Sequence, residues 1–295
     1  MQDTFRRIAS ADREKLERFF EKRGTRLCND SAGAALLWAQ YYEDAVCALG
    51  DTLLLRETFP GIGTVYLAPE QENDAAYAFL EQESERRGER LLFFPVAESE
   101  LEALTARYPN AEVTPLRDWY DYLYNASDMA GFPGKRFHGQ RSHVNKFDRL
   151  YPDWRFEAIT EAKLPDVRAY FERHAERYHK DNETAKAEEG YVRDFLAHYA
   201  DYGGAPQSGV LYVGEQVIGF SCGEIVGDTL IIHIEKADIE FDGAYQKLVS
   251  EYAKMYVTES VQYINREEDL GDPGMRQSKE NYHPVKLLEK YLVKV

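Results

Sequence analysis

The sequence predicts an α+β fold in which mixed, mainly antiparallel sheets are flanked by helices. The strongest observation is the segment 208–238, which reads as three consecutive strands joined by turns at Gly214-Glu215 and Gly227-Asp228. A helix over 243–257 and a strand over 261–265 follow it directly. Antiparallel strands that lead into a helix and then another strand are typical of a layered α+β domain.

The N-terminal half shows a similar but less regular order of elements. Ser10 precedes an amphipathic helix, and Asp30-Ser31 opens a second, apolar helix. Short apolar or alternating runs indicate strands, and longer runs with a period of 3.6 residues indicate helices. We predict strands over 45–49, 52–57 and 64–68, a helix over 74–87, a strand over 91–96, a helix over 98–107 and a strand over 119–124.

The C-terminal half follows a turn-rich break, SDMAGFPG at 127–134. We place the boundary there, between a first domain, 1–130, and a second domain, 131–295, and the similar order of the two halves indicates a duplication. Besides the elements named first, the second half is predicted to contain a helix over 134–150, a strand over 154–159, helices over 164–178 and 184–200, a short helix near 273–282 and a last strand near 286–293.

Composition and charge limit the classes of function. The chain has 295 residues and a formal net charge of −16, with 44% hydrophobic and 30% charged residues. This composition is globular, and the acidic excess argues against a protein that coats nucleic acid or anionic membrane with its whole surface. The N-terminus is charged throughout and every apolar run is too short to span a bilayer, so we expect a cytoplasmic protein without a transmembrane segment.

Several common site motifs are absent. The three cysteines, Cys28, Cys47 and Cys222, are scattered, and the seven histidines lack the spacing of metal ligands, so we expect neither a disulfide framework nor a metal site. The sequence also lacks a Walker A motif, a dinucleotide-binding glycine motif and the serine motif of α/β-hydrolases.

The one strongly basic stretch is KRFHGQRSHVNKFDRLYP at 135–152. At helical spacing its apolar residues form one stripe, which indicates a helix with a buried face. Beside that stripe, arginines offer bidentate donors for phosphate or carboxylate. The alternative is a solvated face that pairs with acidic neighbours. The candidate binding residues on this helix are His138, Arg141, Asn145 and Lys146.

A second constellation lies in the C-terminal stretch 263–291. Asn265, Glu267 and Asp269 come just past a predicted strand, and Arg276 and Lys279 share the face of the next helix. A lysine there is suited to stabilise an oxyanion, or to act as a base if desolvated, and the carboxylates are suited to hold an amine or orient the basic groups. The alternative is an ion-pair network on the surface.

A third constellation is HIEKAD at 233–238, within the predicted antiparallel strands. His233 and Glu235 point to one strand face and Lys236 to the other. Charged residues inside an otherwise apolar sheet are costly unless they are paired. They indicate either the lining of a cleft or a buried structural ion pair.

The second half closely resembles the bacterial DUF2156 family, which is related to the C-terminal catalytic domain of phosphatidylglycerol lysyltransferase. The segments that carry the resemblance are KRFHGQRSHVNKF, VIGFSCGE, HIEKAD, DGAYQ and INREEDLGDPGMRQSKENYHPVKLLEKY. The match extends more weakly through the N-terminal half. The resemblance implies two tandem GNAT-like domains, which share the fold of acyl-CoA N-acyltransferases, with the site in the second.

A further element is similar to the G-x-x-x-F-K-x-x-F motif of FemABX peptidyltransferases. Here it reads Gly274-x-x-x-Ser278-Lys279-x-x-Tyr282 and departs from the pattern at Ser278. The resemblance gives Lys279 the role of stabilising the reacting carbonyl and adds Tyr282 to the candidate binding residues. The glycine-rich loop with which GNAT enzymes hold CoA is replaced by EFDGAYQK at 240–247, so we expect no CoA cofactor.

The resemblance implies an aminoacyl or acyl transferase that uses aminoacyl-tRNA as donor and an amine or hydroxyl as acceptor on a small molecule, a peptide or a lipid head group. In this hypothesis Glu235, Glu267 or Asp269 binds or deprotonates the acceptor, and Arg141 and Lys146 meet phosphate, with His138, Asn145, His233, Asn265 and Arg276 as further binding residues. The alternatives are a non-catalytic module of the same fold that binds a small anionic or amino-acid-like ligand, and an acyl-CoA acetyltransferase.

Overall fold

The computed structural model describes residues 4–39, 43–59, 61–178, 183–199 and 207–295. Its strands, in chain order, are β1 (Arg6–Arg7), β2 (Ala45–Leu49), β3 (Thr52–Phe59), β4 (Gly63–Tyr66), β5 (Leu92–Ala97), β6 (Glu112–Pro115), β7 (Asp121–Asn125), β8 (Trp154–Ala158), β9 (Gln207–Val213), β10 (Gln216–Val226), β11 (Thr229–Ala237), β12 (Tyr263–Asn265), β13 (Lys286–Leu288) and β14 (Lys290–Lys294).

The α-helices follow the amphipathic segments of the sequence. In chain order they are α1 (Arg13–Arg23), α2 (Ala32–Trp38), α3 (Asp74–Arg87), α4 (Glu98–Arg107), α5 (Ala126–Gly131), α6 (His138–Leu150), α7 (Leu164–Tyr178), α8 (Glu183–Ala197), α9 (Ala244–Tyr256) and α10 (Pro273–Glu280). Local chemistry sets several ends: the Ser31 hydroxyl caps α2 by accepting from the Ala34 N–H, and Gly88 ends α3 in the left-handed conformation. Among the described residues, no helix is long and apolar enough to cross a membrane.

The chain divides into two compact units. The first consists of Met1–Asp121, Glu268–Pro273 and Leu287–Val295. Its sheet has the order β1-β2-β3-β4-β5-β14-β6, in which β4 and β5 are parallel and the other neighbours are antiparallel. One core cluster under this sheet includes Leu54, Tyr66, Leu80 and Phe93, all of which are buried.

The second unit consists of Tyr122–Glu267 and Gly274–Lys286. The second sheet has the order β13-β7-β12-β11-β10-β9-β8. Strands β8 to β11 are antiparallel neighbours, β11 and β12 are parallel, and β12 is antiparallel to β7. Phe147 of α6 and Leu248 of α9 pack with Leu211 and Ile218 of the sheet, so the apolar stripe of the basic helix is indeed its core face.

The boundaries between the two units differ from the predicted domain boundary after residue 130. Strand β7 begins at Asp121 and joins the second sheet, so the boundary lies about nine residues earlier along the chain. The predicted strand near 286–293 is two strands, and β14 inserts between β5 and β6 of the first sheet. This position of β14 depends on hydrogen bonds with β5 and β6, which are distant from it in the sequence. The predicted end of a helix at residue 200 lies outside the described residues.

A buried lysine holds β14 in the first unit. The Lys290 ammonium nitrogen lies 2.6 Å from Asp121 Oδ1, 3.2 Å from Glu268 Oε2 and 3.2 Å from Cys28 Sγ. Both Lys290 and Asp121 are fully buried. Burial lowers the pKa of the lysine, but the charges of Asp121, Cys28 and Glu268 outweigh it and hold that pKa well above its ordinary value. Lys290 is therefore charged and paired.

Replacing Lys290 by methionine is expected to destabilise the protein by about 3–5 kcal/mol, because two carboxylates lose their buried counter-ion. Lys294→Met, in the same strand but partly exposed, serves as the matched control and should change the stability little. The measurement is the urea midpoint of both variants and the wild-type chain at pH 7. Equal midpoints for all three would show that the buried cluster contributes no net stability.

Candidate functional site

Two parallel strands separate in the second unit. Strand β12 pairs with β11 only from Thr229 opposite Tyr263 to Ile231 opposite Asn265. Strand β11 continues to Ala237 without this neighbour, while the chain turns away after Asn265. The open end beyond a parallel pair is a common place for a ligand, since side chains from both strand ends converge there. In this molecule those side chains are charged.

A β-bulge directs His233 into this region. The register with β10 passes from Gly223 opposite Ile232 to Cys222 opposite Ile234, so His233 has no residue opposite it. Gly223 is required at the bulge, because a Cβ there would lie 2.0 Å from the Ile231 carbonyl oxygen. The bulge thus re-aims a histidine in the middle of an apolar strand.

His233 lies between two carboxylates. Its Nε2 is 2.9 Å from Glu224 Oε1 and its Nδ1 is 2.8 Å from Glu267 Oε1, and its side chain is only 6% exposed. Burial alone lowers the pKa of the imidazole, but the hydrogen bonds and charges of Glu224 and Glu267 raise it to about 10. At neutral pH His233 is therefore an imidazolium that donates from both ring nitrogens.

A second ion pair bridges the same gap. Arg266, the residue after β12, pairs through Nη2 with Glu235 of β11, and both side chains are nearly buried. The guanidinium also lies 4.6 Å from the centre of the Tyr282 ring. Its Nη1 is buried and has no hydrogen-bond partner among the described residues. An unsatisfied buried donor of this kind is suited to a carbonyl or carboxylate oxygen of a ligand.

Lys279 reaches the same place from α10. Its ammonium donates to the Arg266 carbonyl oxygen at 2.6 Å and lies 5.8 Å from the centre of the Tyr122 ring. Its own carbonyl oxygen accepts from the Tyr124 hydroxyl at 2.8 Å, which fixes the end of the helix. The lysine is thus positioned over the turn that carries Arg266 and Glu267.

The turn after β12 has a strained backbone. Glu267 adopts φ = +56°, a left-handed conformation that is uncommon for residues other than glycine. The fully buried Asn265 stabilises it, since its Oδ1 accepts from the Glu267 N–H at 2.7 Å. Strain held by a buried side chain is frequent at functional sites, and here it aims the Glu267 carboxylate at His233.

The structure brings together half of the residues singled out from the sequence: His233, Glu235, Asn265, Glu267, Lys279 and Tyr282. Arg276 lies half-buried on α10, three residues before Lys279. Asp269 belongs to the first unit, where its carboxylate is 3.2 Å from Arg117 Nη1 and accepts from the Gly271 N–H. Its role in binding or deprotonating the acceptor stays a prediction.

The candidate residues of the basic helix α6 form a separate set. The Arg141 guanidinium donates to the carbonyl oxygens of Phe132 and Gly134, so it ties down the loop before the helix. His138 and Asn145 are exposed. Lys146 is half-exposed and pairs with Asp242 at 2.8 Å. The expected phosphate-facing role thus fits the exposed residues of the helix better than Arg141.

Sequence reasoning missed Glu224 and Arg266. Glu224 stands in the apolar strand segment FSCGEIV, where a lone buried acid is a signal that it needs a cationic partner. Arg266 directly follows Asn265, and a basic residue between a strand end and two acids was a second signal. The bulge that brings the His233 side chain within hydrogen-bonding distance of Glu224 has no sequence signature beyond Gly223.

Together these groups provide the elements of a group-transfer site. The carboxylates are those of Glu224, Glu235 and Glu267, of which Glu267 is the most exposed, and the cations beside them are Arg266 and Lys279. A carboxylate is suited to take a proton from an amine or hydroxyl, and cations are suited to stabilise an oxyanion.

Within the described residues, the cluster that resembles a metal-ligand set is Cys28, Asp121 and Glu268 in the first unit, and Lys290 lies among those side chains.

The charge of His233 predicts a specific pH dependence of stability. Because its folded-state pKa of about 10 lies above the ordinary value of 6.5, its contribution is complete below pH 6.5 and is lost as the pH rises through 10. The stability difference between the wild-type chain and His233→Asn should therefore shrink by about 2–5 kcal/mol over that range. Urea unfolding at pH 6, 8 and 10 measures it, with exposed His138→Asn as control. A difference that stays constant with pH would contradict the imidazolium.

Known proteins share this chain's sequence features and fold. A conserved protein of unknown function from Bacteroides thetaiotaomicron is 28% identical, with a TM-score of 0.92 over 100% of both chains. The L-PGS structure from Bacillus licheniformis is 16% identical, with a TM-score of 0.63 over 95% of this chain and 91% of that one. FemX is 11% identical and also shares the fold, with a TM-score of 0.53 over 98% of this chain and 96% of that one. The predicted α+β fold class, with two mainly antiparallel sheets flanked by helices, is confirmed.

Among curated proteins, an uncharacterized protein of Mycoplasmoides gallisepticum is 25% identical over 177 residues. That match covers 59% of this chain and 56% of the relative, so it spans little more than half of that protein's length. The model of the family described as phosphatidylglycerol lysyltransferase, C-terminal, matches residues 20–294. The chain therefore belongs to the phosphatidylglycerol lysyltransferase C-terminal domain family.

Proposed function

We propose that the second unit transfers an aminoacyl group from aminoacyl-tRNA to an amine or hydroxyl acceptor. The observation that carries this proposal is the open end of the β11–β12 pair, where a carboxylate and two cations meet. The ester carbonyl of an aminoacyl donor needs a nucleophile that has lost its proton and a stabilised oxyanion. The cluster supplies both functions from residues that the fold already holds in place.

In this proposal Glu267 is the general base. Its carboxylate is held by the His233 imidazolium at 2.8 Å and remains 21% exposed at the side-chain level. His233 cannot itself accept a proton at neutral pH, because it already carries one. Glu267 takes the proton of the acceptor amine or hydroxyl as that atom attacks the ester carbonyl. Glu224 is a positioning residue, which acts through His233.

Lys279 and Arg266 stabilise the oxyanion in this scheme. An ammonium has three hydrogens, of which Lys279 directs one to the Arg266 carbonyl oxygen. The buried Nη1 of Arg266 adds a donor without a partner among the described residues. When the tetrahedral intermediate collapses, the ester bond breaks and the tRNA ribose oxygen leaves with a proton. Glu267 carries that proton and returns it.

The donor is proposed to approach the basic helix α6. Its exposed cations include Lys135 just before the helix and Arg149 in its last turn. In a chain of net charge −16, such a local patch is the feature that counters repulsion of a polyanion. The family itself is named for lysyl transfer to phosphatidylglycerol, so a lipid head group is the acceptor class that we favour over a peptide or a small molecule.

CoA is not the proposed donor. The N-terminus of α9, where a pyrophosphate would lie, is preceded by Glu240 and Asp242, two carboxylates that repel an anion. Gly243, with φ = +85°, is required for packing, since a Cβ there would lie 2.4 Å from the His143 carbonyl oxygen. The single glycine of this loop therefore serves the contact between α6 and α9.

Removal of the base or of the ammonium should abolish transfer while the fold is retained. Glu267→Gln and Lys279→Ala are each expected to lower the rate at least about 100-fold. The assay mixes bulk tRNA charged with labelled amino acids and vesicles that contain phosphatidylglycerol, and it counts label in the lipid fraction. Lys286→Ala, an exposed lysine of β13, is the matched control and should retain full activity.

Full activity in either site variant would remove the proposed chemistry. If the wild-type chain transfers no label to lipid but hydrolyses the charged tRNA, the acceptor assignment is wrong and the donor assignment stands. If it binds a small ligand without any turnover, the alternative of a non-catalytic binding module replaces the transferase.

Docking of tRNA is tested separately by its dependence on salt. Lys135→Glu and Arg149→Glu should each weaken binding of charged tRNA, and the log–log slope of affinity against salt should become shallower by about 1 for each phosphate that the variant no longer binds. Fluorescence anisotropy between low and moderate salt measures this. Arg18→Glu in α1, where the arginine pairs with Glu14 on the surface, is the control of equal charge change. An equal weakening in all three variants would show that only net charge matters.

A further inference from the structure

A cysteine and a lysine meet inside the first unit, whereas the residues of the proposed active site belong to the second. Cys28 Sγ and Lys290 Nζ are 3.2 Å apart, although 262 positions separate them in the chain. Cys28 is 5% exposed and Lys290 is fully buried. Neither residue has a part in the proposed transfer reaction, and no local sequence pattern joins the two.

Two carboxylates complete this cluster, and each can accept a proton from the thiol or from the ammonium. The Cys28 thiol lies 3.2 Å from Glu268 Oε2 and 3.3 Å from Asp121 Oδ1, and the lysine lies 2.6 Å from Asp121. A thiol becomes nucleophilic when it loses its proton beside a cation. The Glu268 side chain is 17% exposed, so this side of the cluster reaches solvent.

The same cluster is a poor metal site. Cys28, Asp121 and Glu268 offer three ligand atoms within 4.8 Å of one another. The Lys290 ammonium already lies within 3.2 Å of all three, so an entering ion would have to displace a paired, buried charge. The geometry therefore favours chemistry between the sulfur and the nitrogen.

We propose that Cys28 and Lys290 form a reversible covalent sulfur–nitrogen cross-link when the protein meets hydrogen peroxide. The thiol passes its proton to Glu268, and the thiolate attacks the peroxide O–O bond to give a sulfenic acid and, with that proton, one water. Lys290 then passes a proton to Asp121, and its amine attacks the sulfur. The S–N bond forms, the S–O bond breaks, and the hydroxyl leaves as a second water with another amine proton.

This reaction is balanced. One peroxide is reduced to two waters, the thiol and the amine together lose two electrons and two hydrogens, and the ammonium charge is cancelled by protonation of Asp121. The cross-link would fasten β14 to the segment before α2, and it would replace the ion pair by a neutral bond. A thiol reductant would restore both side chains.

Peptide mapping of the peroxide-treated protein tests the cross-link. Trypsin leaves Cys28 and Cys47 in one peptide, 27–56, and it cannot cleave after a modified Lys290, so residues 287–294 stay joined. We expect these two peptides to be linked, with a loss of about 2 Da from the intact chain. The linked species should disappear on treatment with dithiothreitol.

Two variants keep the test decisive. Cys28→Ser conserves the shape of the side chain and should abolish the linked peptide, whereas Cys47→Ser, at the other buried cysteine of the same peptide, should leave it unchanged. Unfolding the protein before peroxide treatment should also abolish the link, since the two residues then separate. Oxidation of Cys28 only to sulfinic acid, or a thiol that survives peroxide in the folded protein, would overturn the proposal.

Discussion

The separation of β11 from β12 is the constraint on which the chemistry of the second unit depends. Parallel strands that lose their mutual hydrogen bonds leave a gap that other groups must fill. Here the gap is bridged by His233 with Glu267 and by Arg266 with Glu235. Buried charges are costly unless they are paired. The strand order opens the gap, and the charged side chains that fill it must therefore form ion pairs.

The pairing also divides roles among the charged groups. A histidine held between two carboxylates keeps its proton, so it orients and stabilises rather than titrates near neutral pH. The carboxylate with the greatest exposure, Glu267, is the one that we propose exchanges protons with a bound molecule. Lys279 of α10 donates to the carbonyl oxygen of Arg266, so the two cations are tied to the same turn.

The sequence allowed much of the fold to be predicted, because the three long antiparallel strands and the amphipathic helices carry local signals. Six of the candidate residues also lie together, since Asn265 and Glu267 follow a strand and His233 and Glu235 alternate on one. The insertion of β14 between β5 and β6 could not be predicted, because strand pairing over such a distance depends on the whole sheet. Glu224 was missed for a related reason. Its partner is His233, and the two side chains meet only because of the β-bulge between their strands.

The first unit also contains two parallel strands that separate, but different side chains fill the gap between them. Its parallel strands β4 and β5 share only the pair Tyr66 and Phe93 before they separate. There one buried arginine closes the gap: Arg23 donates to the Ala68 carbonyl oxygen beyond β4, and its Nη2 lies 2.8 Å from Glu100 beyond β5. Its Nε also donates to Asp30 Oδ1 at 3.0 Å. The two units thus share a strand order but place different charged groups where their parallel strands separate, and the transfer reaction is proposed only for the second unit.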